Sequence, residues 1–398
     1  MFIKMEVYVK KVLFVANTLQ FGGAERILIN VLRNIDKSKY DVSVLALVDY
    51  GVLVDEVKSI KGVKYISGFK GIFYKTKLNE KSKFYKIENK MMKRKLEKYA
   101  KKIVNSSNQL YKKFIKDEYD IEIAFLEGRV SKFVACSTNA KSKKISWIHT
   151  DITNITAENF LGEQDERSSY SKFDKIVCVS NDVKEKFIKK TGIKQNLYVQ
   201  TNPIDSNNIL KLANEEIDFN KKDGELVVCA VGRMEPVKGY DRLLEVHKRL
   251  INESIKHQLW FVGDGSQRSV LESYINDNNL QDTVTLFGYQ KNPYKYIKNA
   301  DIYICSSIVE GLSSTVLEAV ILEKTIISTD CPGMKEIIGE DNENGLIVKN
   351  DTEGIYEGLK QLLTNERLRE KYQKNIKRRS KRFNLETTIK EIEEIIDN

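Results

Sequence analysis

Short apolar runs rich in Val and Ile recur along this sequence, separated by longer amphipathic stretches, and that alternation restricts its fold more than any other feature. In the first half the runs are Lys11–Ala16, Val42–Val48, Val63–Ile66, Ile121–Leu126, Lys144–Ile148, Lys175–Ser180 and Leu197–Gln200. Several are apolar at consecutive positions. A strand apolar on both faces is buried on both, the condition of a parallel sheet covered by helices on either side. Helical patterns such as Ala24–Arg33 and Asp182–Lys190 fall between them. Thr201-Asn202-Pro203-Ile204-Asp205 breaks the rhythm, because Asn-Pro favours a turn. A polar stretch runs from Asn214 to Gly224, and the alternation then restarts. Strands are expected at Leu226–Val231, Gln258–Val262, Thr283–Phe287, Ile302–Cys305, Thr325–Ser328 and Leu346–Val348. Helices are expected at Tyr240–Asn252, Gln267–Asn276, Thr315–Ile321, Thr352–Leu363 and Asn365–Arg379. The pattern is that of two doubly wound α/β domains with a boundary near Asn202, and 398 residues suit two domains. Ligands of such sheets bind beyond the carboxyl ends of the strands.

Charge and cysteine usage narrow the class. The net charge is +10, but from Lys75 to Lys116 basic residues outnumber acidic ones fivefold while the rest is near balance. The apolar residues of this segment suit an amphipathic basic helix or helix pair, read either as a solvated face or as a patch for an anionic membrane surface. Nucleic acid is disfavoured, since no aromatic-interleaved basic motif accompanies the charge. Cys136, Cys178, Cys229, Cys305 and Cys331 are scattered and form no C-x-x-C pair, which suits a reducing compartment, hence the cytoplasm. Val12–Ala16 is too short for a signal peptide core, and no run reaches the ~18 apolar residues of a membrane span. The three histidines are far apart and no Asp-x-Asp occurs, so no metal or other cofactor is expected.

Five motifs follow predicted strands. Gly22-Gly23-Ala24-Glu25-Arg26 opens a helix, where glycines admit a phosphate or sugar close to free amides, or simply make a tight turn. Gly232-Arg233-Met234-Glu235-Pro236-Val237-Lys238-Gly239 offers a guanidinium fork and an ammonium five residues apart, which suit a diphosphate, or two solvated cations. Gly263-Asp264-Gly265 reads as a turn whose Asp satisfies nearby amides. Glu310 sits in a loop and can accept hydrogen bonds from sugar or ribose hydroxyls. Glu318 can do the same, or can complete a capping box with Thr315. His149 ends a strand and can donate to a hydroxyl or phosphate oxygen, or serve as a structural hydrogen-bonder. His247 and His257 are placed on a helix and the loop after it and are given no role.

In this order and spacing the sequence resembles the retaining GT-B glycosyltransferases of family 4, of the kind that build bacterial surface polysaccharides. The resemblance rests on Gly-Gly-Ala-Glu-Arg at 22–26, Gly-Arg-x-x-x-x-Lys-Gly at 232–239, Val-Gly-Asp-Gly at 262–265, Phe-Gly-Tyr at 287–289, and Glu310 to Glu318 followed by Ala319. It implies two Rossmann-like domains facing a cleft: residues 1–202 for the acceptor and 203–380 for the nucleotide sugar. It further implies that residues 381–398 pack back on the first domain as a helix, for which Leu385–Ile396 is the candidate. The family's site, carried over, has Arg233 and Lys238 on the donor diphosphate, Glu318 on the ribose and Glu310 on the transferred sugar. The amides of Gly311, Leu312 and Ser313 lie nearby, the backbone around Tyr289 meets the base, Gly22 and Gly23 close the site, and His149 lies near sugar and acceptor. The implied function is metal-independent transfer of a hexosyl or N-acetylhexosaminyl group, from a UDP-sugar in the first instance, to a glycan or lipid-linked acceptor. The alternative is a sugar-nucleotide- or glycan-binding partner subunit without catalysis. Many members have Gly-Phe-Gly or Gly-Phe-Pro after the first glutamate; Gly311-Leu312-Ser313 departs from this and leaves the sugar open.

Overall fold

A computed structural model describes residues 8–20, 22–70, 83–153, 163–217, 219, 222 and 224–398, with the side chains of 83–90, 93, 163 and 164 outside the description. Seven of the described strands form one sheet: β1 (Lys10–Ala16), β2 (Tyr40–Asp49), β3 (Val63–Lys70), β4 (Ile121–Ala124), β5 (Lys143–Ile148), β6 (Lys175–Cys178) and β7 (Leu197–Val199). Their spatial order is β3-β2-β1-β4-β5-β6-β7, and every described pair is parallel. Six more form a second sheet: β8 (Leu226–Val231), β9 (His257–Val262), β10 (Val284–Leu286), β11 (Ile302–Cys305), β12 (Thr325–Thr329) and β13 (Leu346–Val348). Its order is β10-β9-β8-β11-β12-β13, again all parallel.

The apolar runs explain both sheets. In β1, Val12 to Val15 are fully buried, and in β2 so are Val42 and Val44 to Leu47, so neither strand has a wet face. The edge strand β3 has one neighbour and alternates with exposed positions. In β8 the pleat sends alternate residues to opposite cores. Val228 and Ala230 join Leu244, Phe261, Ile304, Ile327 and Leu359 on one face. Val227 and Cys229 join Trp260, Val262, Tyr296 and Ala300 on the other.

Contacts divide the chain into Met1–Gln200 with Ile389–Asn398, and Thr201–Thr388. The last helix, Leu385–Asp397, buries Ile389, Ile392 and Ile396 at helical spacing. The Asp36 amide donates to the Glu393 carboxylate at 2.8 Å. Lys175 Nζ donates to the Ile395 carbonyl at 2.8 Å and Lys143 Nζ to the Ile396 carbonyl at 3.3 Å, placing cations at the negative end of the helix. Burial, and then the Lys175 charge, lower the Lys143 ammonium to about 8.

The basic segment is helical over Lys83–Phe114, as two helices that meet at a kink at the non-helical Ser106; residues 75–82 lie outside the description. No described helix is long and apolar enough to cross a membrane. His257 begins β9 rather than lying in a loop, and it pairs with His247. Their rings share a 2.8 Å hydrogen bond between Nδ1 of His247 and Nε2 of His257, and both side chains are fully buried.

Candidate functional site

Each sheet reverses its winding between two central strands, β1 and β4 in the first and β8 and β11 in the second. Beyond the carboxyl ends of such a pair the crossover helices diverge and leave a crevice. In the second unit the loops after β8 and β11 meet there. The Ile308 amide donates to the Val237 carbonyl at 2.7 Å, and Ser306 Oγ donates to the Lys238 carbonyl at 2.8 Å. Met234, fully buried, pins the first loop to the core.

At this junction Lys238 Nζ lies 2.5 Å from Glu310 Oε1, which also accepts from Ser307 Oγ at 2.6 Å. Both partners of the ion pair are largely covered, with side-chain exposures of 18% and 13%. Burial disfavours the Lys238 ammonium, but the Glu310 carboxylate outweighs it, so the lysine titrates above its ordinary value and stays charged. Arg233 is exposed, and its charge works against that of Lys238. Among the described residues its guanidinium has no ion-pair partner, so it is free to take an anion.

The helix Ser314–Ile321 starts at this junction. Its N-cap is Ser313, which makes no side-chain capping bond. The main-chain amides of Gly311, Leu312 and Ser313 find no acceptor among the described residues, so donors gather beside Lys238. Glu318 is the fifth residue of this helix, which removes the capping-box reading with Thr315; its buried carboxylate accepts from Tyr294 Oη at 3.4 Å. Gly311 and Leu312 are buried, and a Cβ on Gly333 (φ +78°) would strike the Gly311 carbonyl. Tyr289, 49% exposed, follows β10.

Gly263 explains how the loops pack. Its φ is +143°, and a Cβ there would collide with the Gly232 carbonyl oxygen. The Met234 amide donates to the Asp264 carbonyl at 2.9 Å, and Asp264 Oδ1 accepts the Gly265 amide at 2.7 Å, so this motif is a structural turn.

Gly22, Gly23 and His149 lie in the first unit, and Arg233, Lys238, Tyr289, Glu310, Gly311, Leu312, Ser313 and Glu318 in the second. Gly22 N-caps the helix Gly23–Asn34 without a side-chain bond, and the Glu25 carboxyl occupies the space a Cβ on Gly22 would need. His149 directly follows β5; burial lowers its imidazole to about 3, so it is neutral at pH 7.

The sequence reading missed Arg242. Its Nη2 donates to the Ser306 carbonyl at 2.7 Å, the Ser307 carbonyl at 3.0 Å and Asn350 Oδ1 at 2.6 Å, clamping the loop that carries Glu310. It stands on the helix Tyr240–Asn252, three residues after the Gly232–Gly239 motif, and only the tertiary contact reveals its role. Glu127 was also missed, although it stands only three residues beyond the end of the strand Ile121–Ala124. Among the described residues no group of three or more His, Cys, Asp or Glu is placed to hold a metal ion.

The two sheets can be compared with solved structures. Anabaena HepE, solved in complex with UDP-glucose, superposes with a TM-score of 0.71 over 97% of this chain and 98% of that one, at 17% identity. The fold is GT-B. Residues 213–379 of the GT-B chain also match the family described as Glycosyl transferases group 1, which takes in the loops of Lys238 and Glu310. The chain is 30% identical over 217 residues to the N-acetylgalactosamine-N,N'-diacetylbacillosaminyl-diphospho-undecaprenol 4-alpha-N-acetylgalactosaminyltransferase of Campylobacter jejuni, covering 54% of this chain and 57% of that protein. It is 26% identical over 362 residues to an uncharacterized glycosyltransferase of Haemophilus influenzae, covering 89% and 90%. The match to the Campylobacter enzyme thus spans little more than half of that protein.

Proposed function

We propose that this GT-B protein is a retaining glycosyltransferase that moves a hexosyl or N-acetylhexosaminyl group from a UDP-sugar to a glycan or lipid-linked acceptor in surface-polysaccharide synthesis. The observation that carries the reading is the junction at β8 and β11, where the Lys238–Glu310 pair, the exposed Arg233 and the open amides of 311–313 converge. A diphosphate needs cations and N–H donors, and a sugar needs carboxylate acceptors; both kinds of group are within one loop pair. The UDP-glucose held by HepE supports the donor, and the undecaprenol-linked substrate in the Campylobacter enzyme's name supports the acceptor.

In the proposed reaction the acceptor oxygen bonds to the anomeric carbon on the face the diphosphate leaves. The carbon–phosphate-oxygen bond breaks, and the departing phosphate oxygen takes the acceptor's proton. Arg233 and Lys238 stabilise the charge that grows on the leaving group, and Glu310 orients the sugar. No metal enters. Purified protein assayed against a panel of nucleotide sugars with lipid-linked acceptors is expected to give an α-retained product, unaffected by EDTA. Arg233→Ala with Lys238→Ala is expected to cut turnover by at least about 10²–10³-fold. Wild-type turnover in that variant would refute the donor site, and nucleotide-sugar binding without transfer would favour the partner-subunit reading.

We place the enzyme on the cytoplasmic face of a membrane. Arg94, Lys98 and Lys101 are exposed at helical spacing on Lys83–Phe114, and Lys102, Lys112, Lys113 and Lys116 are exposed too. Each such cation gains about 1 kcal/mol near anionic lipid. Flotation with phosphatidylserine vesicles at low salt is expected to carry the protein; failure to float removes the membrane proposal.

A further inference from the structure

The first unit carries an ionisable cluster at its own winding reversal to which the transfer reading assigns only His149. Glu127 directly follows Phe125 and Leu126 at the end of β4, and its Oε2 accepts the main-chain N–H of His149 at 2.9 Å. The bend that aims Glu127 is fixed from behind. Gly128 has φ +70° and ψ −120°, and its N–H donates to the hydroxyl of the buried Tyr170 at 3.1 Å. The His149 ring packs on Phe125 with centroids 4.9 Å apart. Both of its ring nitrogens are buried, and neither has a hydrogen-bond partner among the described residues. A neutral imidazole has one donor and one acceptor to satisfy, and a ligand bearing hydroxyl groups supplies both.

We propose that Glu127 is a positioning residue for the transfer reaction. By holding the His149 amide it fixes the imidazole, with its unsatisfied nitrogens, where a hydroxyl-bearing substrate meets it. The proposal rests on the glycosyltransferase reading. A carboxylate bond to a main-chain amide is charge-assisted and directional, whereas β5 ends at Ile148 and leaves His149 without a ladder bond of its own. Losing that anchor displaces the ring, and a shift of about 1 Å at a reacting centre costs on the order of 10²-fold in rate.

The state of the carboxyl is open to test. Burial is the main cause that raises Glu127 to about 6; the amide bonds of His149 and of Glu127 itself oppose it, and the nearby Glu25 charge adds to it. The other groups facing Glu127 do not titrate in that range. The His149 imidazole is lowered to about 3, and the Tyr170 hydroxyl and the Cys178 thiol are both raised well beyond neutrality, each partly by the Glu127 charge. Arg129, the first residue of the helix Arg129–Ala135, is lowered by burial from a value far above this window. As pH falls through about 6, Glu127 gains a proton and its bond to the His149 amide loses its charge.

Two measurements on the full chain test this. In ¹³C-histidine NMR, with His149→Asn assigning the resonance among three histidines, the His149 ring signal is expected to step with a midpoint near pH 6. In Glu127→Gln, which keeps a carbonyl oxygen but cannot titrate, the step is expected to vanish; a wild-type signal without a step, or a step that persists in the variant, overturns the proposal. In transfer assays Glu127→Gln is expected to lower kcat 10- to 100-fold with the donor KM unchanged, and to lose the acidic limb of the pH profile. Wild-type kcat and an unaltered profile would overturn it as well. A wild-type protein that transfers nothing refutes the transferase reading instead, and the NMR step still decides whether Glu127 controls His149.

Discussion

At the scale of single residues, this molecule holds polar side chains in buried places and satisfies most of them. The His247–His257 pair is the clearest case. His257 Nδ1 donates to the Ile255 carbonyl at 2.8 Å, which leaves Nε2 to accept from His247 Nδ1, and His247 Nε2 then accepts from Thr283 Oγ1 at 2.9 Å. With both imidazoles neutral every ring nitrogen is used. Burial lowers both, His247 to about 2 with help from the His257 charge. A histidine depressed in the fold but titrating near 6.5 when unfolded contributes stability fully above about pH 6.5, and that contribution is lost as pH falls below it. The expected slope is about 1.4 kcal/mol per pH unit for each histidine that stays neutral. Urea midpoints of the second unit should therefore drop between pH 6.5 and 5. In His247→Gln with His257→Gln the starting stability is lower, and this drop should shrink; an unchanged slope would mean that other groups set it.

Elements in this protein are positioned less by their own propensity than by backbone approach at their ends. Gly263 and Gly224 both have positive φ, +143° and +77°, but only at Gly263 would a Cβ meet another chain segment, the Gly232 carbonyl. At Gly224 a Cβ would meet nothing within 4 Å among the described residues. Gly224→Ala should cost about 1 kcal/mol, the backbone strain alone. Gly263→Ala must also part the loops after β8 and β9, and should cost more than about 2 kcal/mol. The loop after β8 holds Arg233 and Lys238, so Gly263→Ala should weaken nucleotide binding while Gly224→Ala leaves it intact. Denaturation midpoints and UDP titrations on both variants check this, and equal costs would show that the close approach does not constrain the loop.

For the whole molecule, two units with separate cores make a single unfolding free energy a poor description. The proposed donor groups from Arg233 to Glu318 all lie in the unit Thr201–Thr388. UDP at 100 times its Kd should stabilise the unit that binds it by about 2.7 kcal/mol. Calorimetry is expected to show the upshift confined to one of two transitions. Limited proteolysis in the presence of UDP would identify which unit is protected, and protection confined to the first unit would place the nucleotide elsewhere.

The sequence by itself determined the strands. All thirteen expected strands are found, with ends shifted by at most a few residues, because the central runs are short, rich in Val and Ile and apolar on both faces, which suits a sheet buried on both sides; the edge strands β3 and β7 depart from that burial. The motifs after β1, β8 and β11 were legible for a related reason, since glycines and charges directly after a buried strand have few structural roles. Tertiary structure alone decided what those residues do to one another. It tied Lys238 to Glu310, 72 positions away, and brought in Arg242 from an unremarked helix face. It moved Glu318 out of its capping position and joined Glu127 to the His149 amide. Periodicity reports burial, which is a local property of the chain. Hydrogen-bond partners are set by where the loops of different strands meet, and no local pattern contains that.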